Sequence, residues 1–425
     1  MLIDRDPVSV TDVAAVARGR DRVSFTPDVD ADLAASRAVV ERVLKRGAPV
    51  YGLNTELGAG RDIVVSTERL AEFQRRTIRN SLGGVGEALS EEQARAVVFA
   101  RLVGFTRGGA GVTPALAAAY RDLLNDGPTP VIPRTGSVGA ADLTHLAAIA
   151  SVVDHDFQPH EALAALSSNA YSVGVSALLV DDLRDLAIVA DRVLARSIDA
   201  IGGNHSPFDE RVQAAHPVVE QAVSAARVRE ALGETRSAGT QDAISFRSAV
   251  QVHASFSRAI ARLRDAVEVE LNSRTENPLV DVASDSLVSG GNFLVLELAL
   301  ALDGLRLAIA HVAAISERRL AVISGRSADA RRRGELTVPG LVWYSASAQL
   351  AELRHLANPV SLAGTALSEG VEDHATNAPL ALQLLERSIA LTRSVLSIEA
   401  ISAAELLGRE PEPLDAVYSA LLNSR

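Results

Sequence analysis

Tyr51 lies in the run Tyr51-Gly52-Leu53-Asn54-Thr55, with Gly58 and Gly60 close behind it. A phenol on a glycine-rich loop is a candidate mobile acid or base; taken alone, the run is an ordinary surface turn. Arg247 ends the run Gln241-Asp242-Ala243-Ile244-Ser245-Phe246-Arg247. On a helix, Gln241, Ile244 and Arg247 share or nearly share one face, and Arg247 can clamp a carboxylate with two parallel bonds. Glu372, in Glu372-Asp373-His374, is a second candidate acid or base. Asn169, in Ser168-Asn169-Ala170-Tyr171, offers an amide just ahead of an apolar helix. Asn277 precedes Pro278, and Phe293 closes Ser289-Gly290-Gly291-Asn292-Phe293. The stretch Thr135-Gly136-Ser137-Val138-Gly139-Ala140-Ala141-Asp142-Leu143 packs small residues so densely that its backbone can approach another group closely. No Gly-Lys-Ser/Thr follows, so it is not a phosphate loop. His145, His155 and His160, with Asp154 and Asp156, match no strong metal spacing; a helix surface and a polar loop are the plainer reading.

The elements that must carry these residues are helical nearly throughout. Helical spacing predicts helices over 29–46, 90–105 and 114–125. The second half holds the longest runs, 220–271, 293–323 and 380–407. The middle one is very apolar, but Glu297, Asp303, Arg306 and His311 interrupt it. That reads as a buried core helix, not a lipid span. Helices of some 30 residues reach about 45 Å, which calls for bundling with further helices, including those of other copies. The expected fold is mainly α: a long-helix bundle with a loop-rich N-terminal part. The expected organisation is one domain over 1–425. Within it, 1–200 carries the tyrosine loop and the small-residue turn, and 201–425 carries the central bundle.

Composition narrows the function classes. The 425 residues carry a formal net charge of −11, and such a surface repels nucleic acid. Cysteine is absent, which removes disulfides, thiolate metal sites and cysteine nucleophiles. Lys45 is the sole lysine and sits in a polar turn, so a pyridoxal Schiff base is not expected. No apolar leader opens the chain, and a cytoplasmic, membrane-free location is the expectation.

Taken in order, these segments resemble the aromatic amino acid ammonia-lyase and aminomutase family over roughly residues 45–405. The resemblance rests on Tyr-Gly-x-Asn-Thr, Gly-Ser-Val-Gly-Ala, Asn-Pro-Leu-Val, Ser-Gly-Gly-Asn-Phe and Ser-Glu-Arg-Arg as an ordered set. It implies a long-helix bundle of the aspartase/fumarase-like type, assembled as a cytosolic homotetramer with active sites shared between subunits, that eliminates ammonia from an aromatic amino acid or histidine, a small carboxylate-bearing substrate. It also implies an electrophile, methylidene-imidazolone, made from an Ala-Ser-Gly tripeptide. By the same resemblance Tyr51 is the base and Asn169 supports cofactor and substrate. Gln241 and Arg247 lie beside the substrate carboxylate, Glu372 is a catalytic or amine-side carboxylate, and Asn277 and Phe293 belong to the substrate-binding set. Leu82 stands where histidine lyases hold an imidazole.

The chain departs from the pattern where the electrophile would form. Gly-Ser-Val-Gly-Ala-Ser-Gly-Asp-Leu is expected; Gly136-Ser137-Val138-Gly139-Ala140-Ala141-Asp142-Leu143 is present. One residue and the central serine are gone, leaving Ala140 and Ala141 at the cofactor position. Cyclisation needs a glycine amide nitrogen and a dehydrating serine, so no imidazolone is expected and no other cofactor or metal is implied. Ile244 replaces a family tyrosine near the amine, and Leu82 points away from an imidazole substrate. Three readings follow. The first is a cofactor-free lyase acting on a better leaving group than ammonia, as in relatives that eliminate trimethylamine from a histidine betaine. The second is a non-catalytic paralogue with a binding or assembly role. The third is a conventional aromatic ammonia-lyase.

Overall fold

The structure is a computed structural model that describes residues 1–19, 21–233 and 239–423. It is mainly α-helical. The strands among the described residues form three two-stranded pairs: Leu2–Ile3 with Ser24–Phe25, Val85–Ala88 with Pro133–Thr135, and Leu279–Asp281 with Ser286–Val288. The chain divides into two compact units, and each is interleaved in sequence.

The first unit comprises Met1–Val180, Arg264–Leu300 and Val360–Leu382. Thus 264–300 and 360–382 group with the N-terminal part, and the unit boundary does not fall at residue 200. Helix Pro27–Arg46 starts with proline in its first turn and stops at Gly47, whose φ of 73° suits a residue without a side chain. Its Val39, Val40 and Val43 pack on Leu53 and Val280, which seats the Tyr51 turn against the 279–281 strand. Helix Glu91–Thr106 is opened by a capping box between Ser90 and Gln93. It buries Arg101, whose guanidinium pairs with Glu276 at 3.3 Å and lies over the Phe105 ring.

Helices Leu143–Ala150 and Glu161–Leu166 follow the small-residue turn. The three histidines expected on the surface here are structural instead. His145 is buried with its ring stacked on Tyr171, centroids 3.9 Å apart. His160 is buried against the Ala110 carbonyl, and burial, reinforced by Arg37, pushes it down to about 4. His155 donates to the Glu161 carboxylate at 2.8 Å. The carboxylate of Glu161 also takes the Thr113 and Gln158 N–H groups. Sequence spacing gave no sign of the roles of His145 and His160, because their partners come from distant segments.

The second unit comprises Asp181–Leu263, Ala301–Pro359 and Gln383–Arg425. Two apolar clusters fill it, one around Leu194, Ile198, Phe208, Phe246 and Ile323, the other around Leu350, Leu353, Val395 and Ile398. At its centre Arg319 and Glu399 form a fully buried pair, with Ser197 and Ser316 on the carboxylate. The run expected over 220–271 is broken. A helix ends at Leu232 before Gly233 (φ 69°), Ile244–Arg247 is a single turn, and the next long helix is Ala249–Leu271. The other long runs form helices Leu296–Arg326 and Ala378–Leu406. The most apolar window of Leu296–Arg326 is 61% buried, and that of the 161–201 stretch is wholly buried.

Candidate active site

A cavity of about 810 Å³ opens within the first unit. Its walls include six of the residues singled out by sequence: Tyr51, Ala140, Ala141, Asn277, Phe293 and Glu372.

Each is held by local chemistry. The Tyr51 turn is pinned by Asn54, whose side chain accepts the Val50 N–H at 2.7 Å and donates to the Ala48 carbonyl at 3.0 Å. The Tyr51 hydroxyl accepts the Gly58 N–H at 3.2 Å. Gly58 has φ 57°, and a Cβ there would lie 2.5 Å from Ser368 Oγ. The glycine therefore lets the tyrosine loop lie directly on the turn that ends at Glu372. That turn closes by a bridge between Leu367 and Glu372, with Ser368, Glu369 and Gly370 all at positive φ. Asn277 accepts the Gly290 N–H at 3.1 Å and fixes the start of the 289–293 segment.

The small-residue turn is held from several sides. Thr376 Oγ1 donates to the Gly139 carbonyl at 2.9 Å, and the Asn377 N–H donates to the Val138 carbonyl at 2.7 Å. Ser137 Oγ reaches both the Ala141 carbonyl and the Asp142 carboxylate. Asp142 is buried, and burial pushes its carboxyl up despite the hydrogen bonds from Ser172 and Ser137. Ala141 has φ 64°, a left-handed conformation rare for a residue with a Cβ.

Residues that the sequence reading passed over complete the walls. Phe73, Arg76, Thr77, Asn80 and Ser81 line the cavity from helix Leu70–Ser81. Their spacing of three and four puts them on one helix face. Arg76 pairs with Glu56 at 2.7 Å, and Arg61 stands 3.9 Å from Asp62, so cations and carboxylates alternate around Tyr51. Leu57, Leu143, Leu163 and Leu166 supply apolar wall.

Other expected residues are placed elsewhere. Leu82 is 48% exposed and faces a separate shallow pocket beside Pro130 and Pro133. The helix stops at Ser81, and the chain turns away to pair Val85–Ala88 with Pro133–Thr135. Asn169 is buried but is not among the cavity walls. Its amide donates to the Phe293 carbonyl at 2.7 Å, while its Oδ1 has no protein partner. Gln241 and Arg247 belong to the second unit. Gln241 is exposed and precedes the helical turn Ile244–Arg247, so the shared helical face expected for it does not form. Arg247 is half-buried, and its Nε is buried with no hydrogen-bond partner among the described residues.

Comparison with known proteins decides the family. The pattern of the family described as "Aromatic amino acid lyase" matches residues 8–156 and 153–421. The chain belongs to the aromatic amino acid lyase family. The histidine ammonia-lyase of Stigmatella aurantiaca is 32% identical over 450 aligned positions, covering 96% of this chain and 88% of that protein. The histidine ammonia-lyase of Myxococcus xanthus is 31% identical, with the same coverage. Among solved structures, the Treponema denticola ergothionase in complex with desmethyl-ergothioneine sulfonic acid has a TM-score of 0.90 at 24% identity, covering 99% of this chain and 93% of that one. Phenylalanine aminomutase from Pantoea agglomerans has a TM-score of 0.88 at 21% identity, with 99% and 94% covered. These structural likenesses establish that this member of the aromatic amino acid lyase family has the family's helical fold.

Proposed function

We propose that this family member is a lyase that eliminates a leaving group and a proton from a small amino-acid-like carboxylate without the imidazolone electrophile. Tyr51 takes the proton. Glu372 is the second acid or base and serves the leaving group. Arg247, whose Nε has no hydrogen-bond partner among the described residues, holds the substrate carboxylate and reaches the cavity from another copy in a cytoplasmic homotetramer. The observation that carries this reading is the convergence of Tyr51, Glu372 and the Ala140-Ala141 turn on one cavity.

The turn does not fit the family's electrophile. The sequence contains no Ala-Ser-Gly run. The amide nitrogen that follows Ala141 belongs to buried Asp142 and donates to the Ser168 carbonyl at 2.7 Å. The nearest serine hydroxyl, on Ser137, is engaged by Asp142, Ala141 and Gly139. Without covalent activation, ammonia is a poor leaving group, and about 1.4 kcal/mol of barrier is a tenfold rate. The substrate therefore carries a better leaving group, such as a quaternary amine or a hydroxyl. The ergothionase, a degrader of ergothioneine, shares the fold. In the step itself, the C–H electron pair becomes the new C=C bond, and the leaving group departs with its own bonding pair. The product is an unsaturated carboxylate.

Two measurements test this. The intact mass should equal that of the unmodified chain; a deficit of two waters means that an imidazolone has formed and overturns the proposal. Tyr51→Phe should lower kcat by about a hundredfold or more, in the usual range for a general base. Full turnover in that variant removes Tyr51 from the role.

A further inference from the structure

Along residues 139–142 most of the backbone is engaged. The Gly139 N–H donates to Ser137 Oγ at 3.0 Å, and the Asp142 N–H donates to the Ser168 carbonyl at 2.7 Å. The carbonyls of Gly139 and Ala141 accept from Thr376 Oγ1 and Ser137 Oγ. The N–H groups of Ala140 and Ala141, and the Ala140 carbonyl, have no partner among the described residues. Ala141 is only 8% exposed, Ala140 is half-buried, and both residues wall the cavity. A buried amide without an acceptor is rare because it forfeits its hydration for nothing. Two unpaired N–H groups in succession on a cavity wall are open to an acceptor from outside the chain.

The backbone conformation agrees. Gly139 (φ 82°) and Ala141 (φ 64°) are left-handed, and Ala140 between them is not. Alternating hand in successive residues curves the N–H groups toward one concavity, a geometry suited to anions. The neighbouring Asp142 carboxylate is engaged elsewhere: it accepts the Ser172 N–H at 2.9 Å, in the first turn of helix Ala170–Ile201.

We infer that the Ala140 and Ala141 amides form an oxyanion cradle that replaces the lost electrophile. This inference rests on the reading of the cavity as an elimination site, and it narrows the substrate class. Tyr51 removes a proton from a carbon that carries an acyl group. The C–H pair passes onto the acyl oxygen, and the two fixed amides stabilise the resulting enediolate. Fixed donors in a protein wall are worth most when charge develops. The pair then returns to form the C=C bond as the leaving group departs from the neighbouring carbon with its bonding electrons. The proton ends on Tyr51, and no oxidant or co-reactant is needed. The substrate is an amino-acid-like carboxylate with a second acyl group on the carbon that loses its proton.

The probe is 3-nitropropionate, whose nitronate form carries the charge of such an enediolate on two oxygens, with propionate as the comparison. The wild type should bind the nitronate about tenfold or more tightly than propionate, which is one decade in Kd. Ala141→lactic acid, an ester that removes the N–H and keeps the methyl, should erase that preference and leave propionate binding unchanged. Ala140→lactic acid provides the same test should the first variant fail to fold by circular dichroism. Tyr51→Phe should retain nitronate binding, because the proton has already gone. Equal affinity for the two probes, or an ester protein that keeps the preference, overturns the cradle. The elimination reading fails separately, through turnover that survives Tyr51→Phe.

Discussion

Ala141 is where the chemistry of this chain is most unusual. Its Cβ is carried at φ 64°, a conformation that costs an L-residue roughly 1–2 kcal/mol. The segment around it is fastened by Thr376, Asn377, Ser137 and Ser168, and these bonds hold the residue where its own preference would not. A glycine there relieves the clash but surrenders backbone entropy in the unfolded chain. Ala141→Gly should therefore raise unfolding free energy by a net of roughly 0.5–1 kcal/mol, read from urea unfolding curves with an unchanged slope. A loss of stability would mean that the buried methyl packs well enough to outweigh the strain.

At the scale of elements, the cavity depends on how the 274–293 segment is hung. Glu276 adjoins Asn277, and its carboxylate pairs with Arg101 of helix Glu91–Thr106, both side chains almost wholly buried. Burial lowers the Arg101 pKa and raises that of Glu276, so each charge persists through the other. Arg101→Met leaves a buried carboxylate uncompensated and should cost about 3–5 kcal/mol. Arg101→Met with Glu276→Gln should recover a large part of that loss, since it is the orphaned charge that is expensive. Denaturant unfolding of the two variants checks it: equal destabilisation would mean that packing against Phe105, not charge, is what matters.

The same scale explains what the sequence disclosed. Tyr51, Ala140, Ala141, Asn277, Phe293 and Glu372 were legible because local glycine-rich or polar runs announce them, and all six line one cavity. The helical class was legible from periodicity. The place of Leu82 rested on the resemblance, which does not locate a helix end, and one residue separates Ser81 in the wall from Leu82 outside it. Phe73, Arg76, Thr77 and Asn80 were within reach: a polar and aromatic stripe at helical spacing in Leu70–Ser81 was the signal. The roles of His145 and His160 were not, since their partners Tyr171 and Ala110 lie far away in sequence.

On the scale of the whole molecule, the proposed machinery is divided between two units. Tyr51, Glu372 and the turn belong to the first, and Arg247 belongs to the second. Arg247 keeps a buried Nε without a hydrogen-bond partner among the described residues, an expensive arrangement unless a carboxylate completes it. If each cavity takes its arginine from another copy, the two halves of the site are separable by mutation. Tyr51→Phe and Arg247→Ala chains should each be nearly inactive alone. Coexpressed as mixed oligomers, they should regain activity, because some cavities then draw an intact Tyr51 from one chain and an intact Arg247 from the other. Assay of the purified mixed species, each chain carrying a different tag, reads this directly. Mixed oligomers no more active than either parent would place Arg247 outside the shared site. Restored turnover would require the copies to complete each other, since neither variant holds both groups.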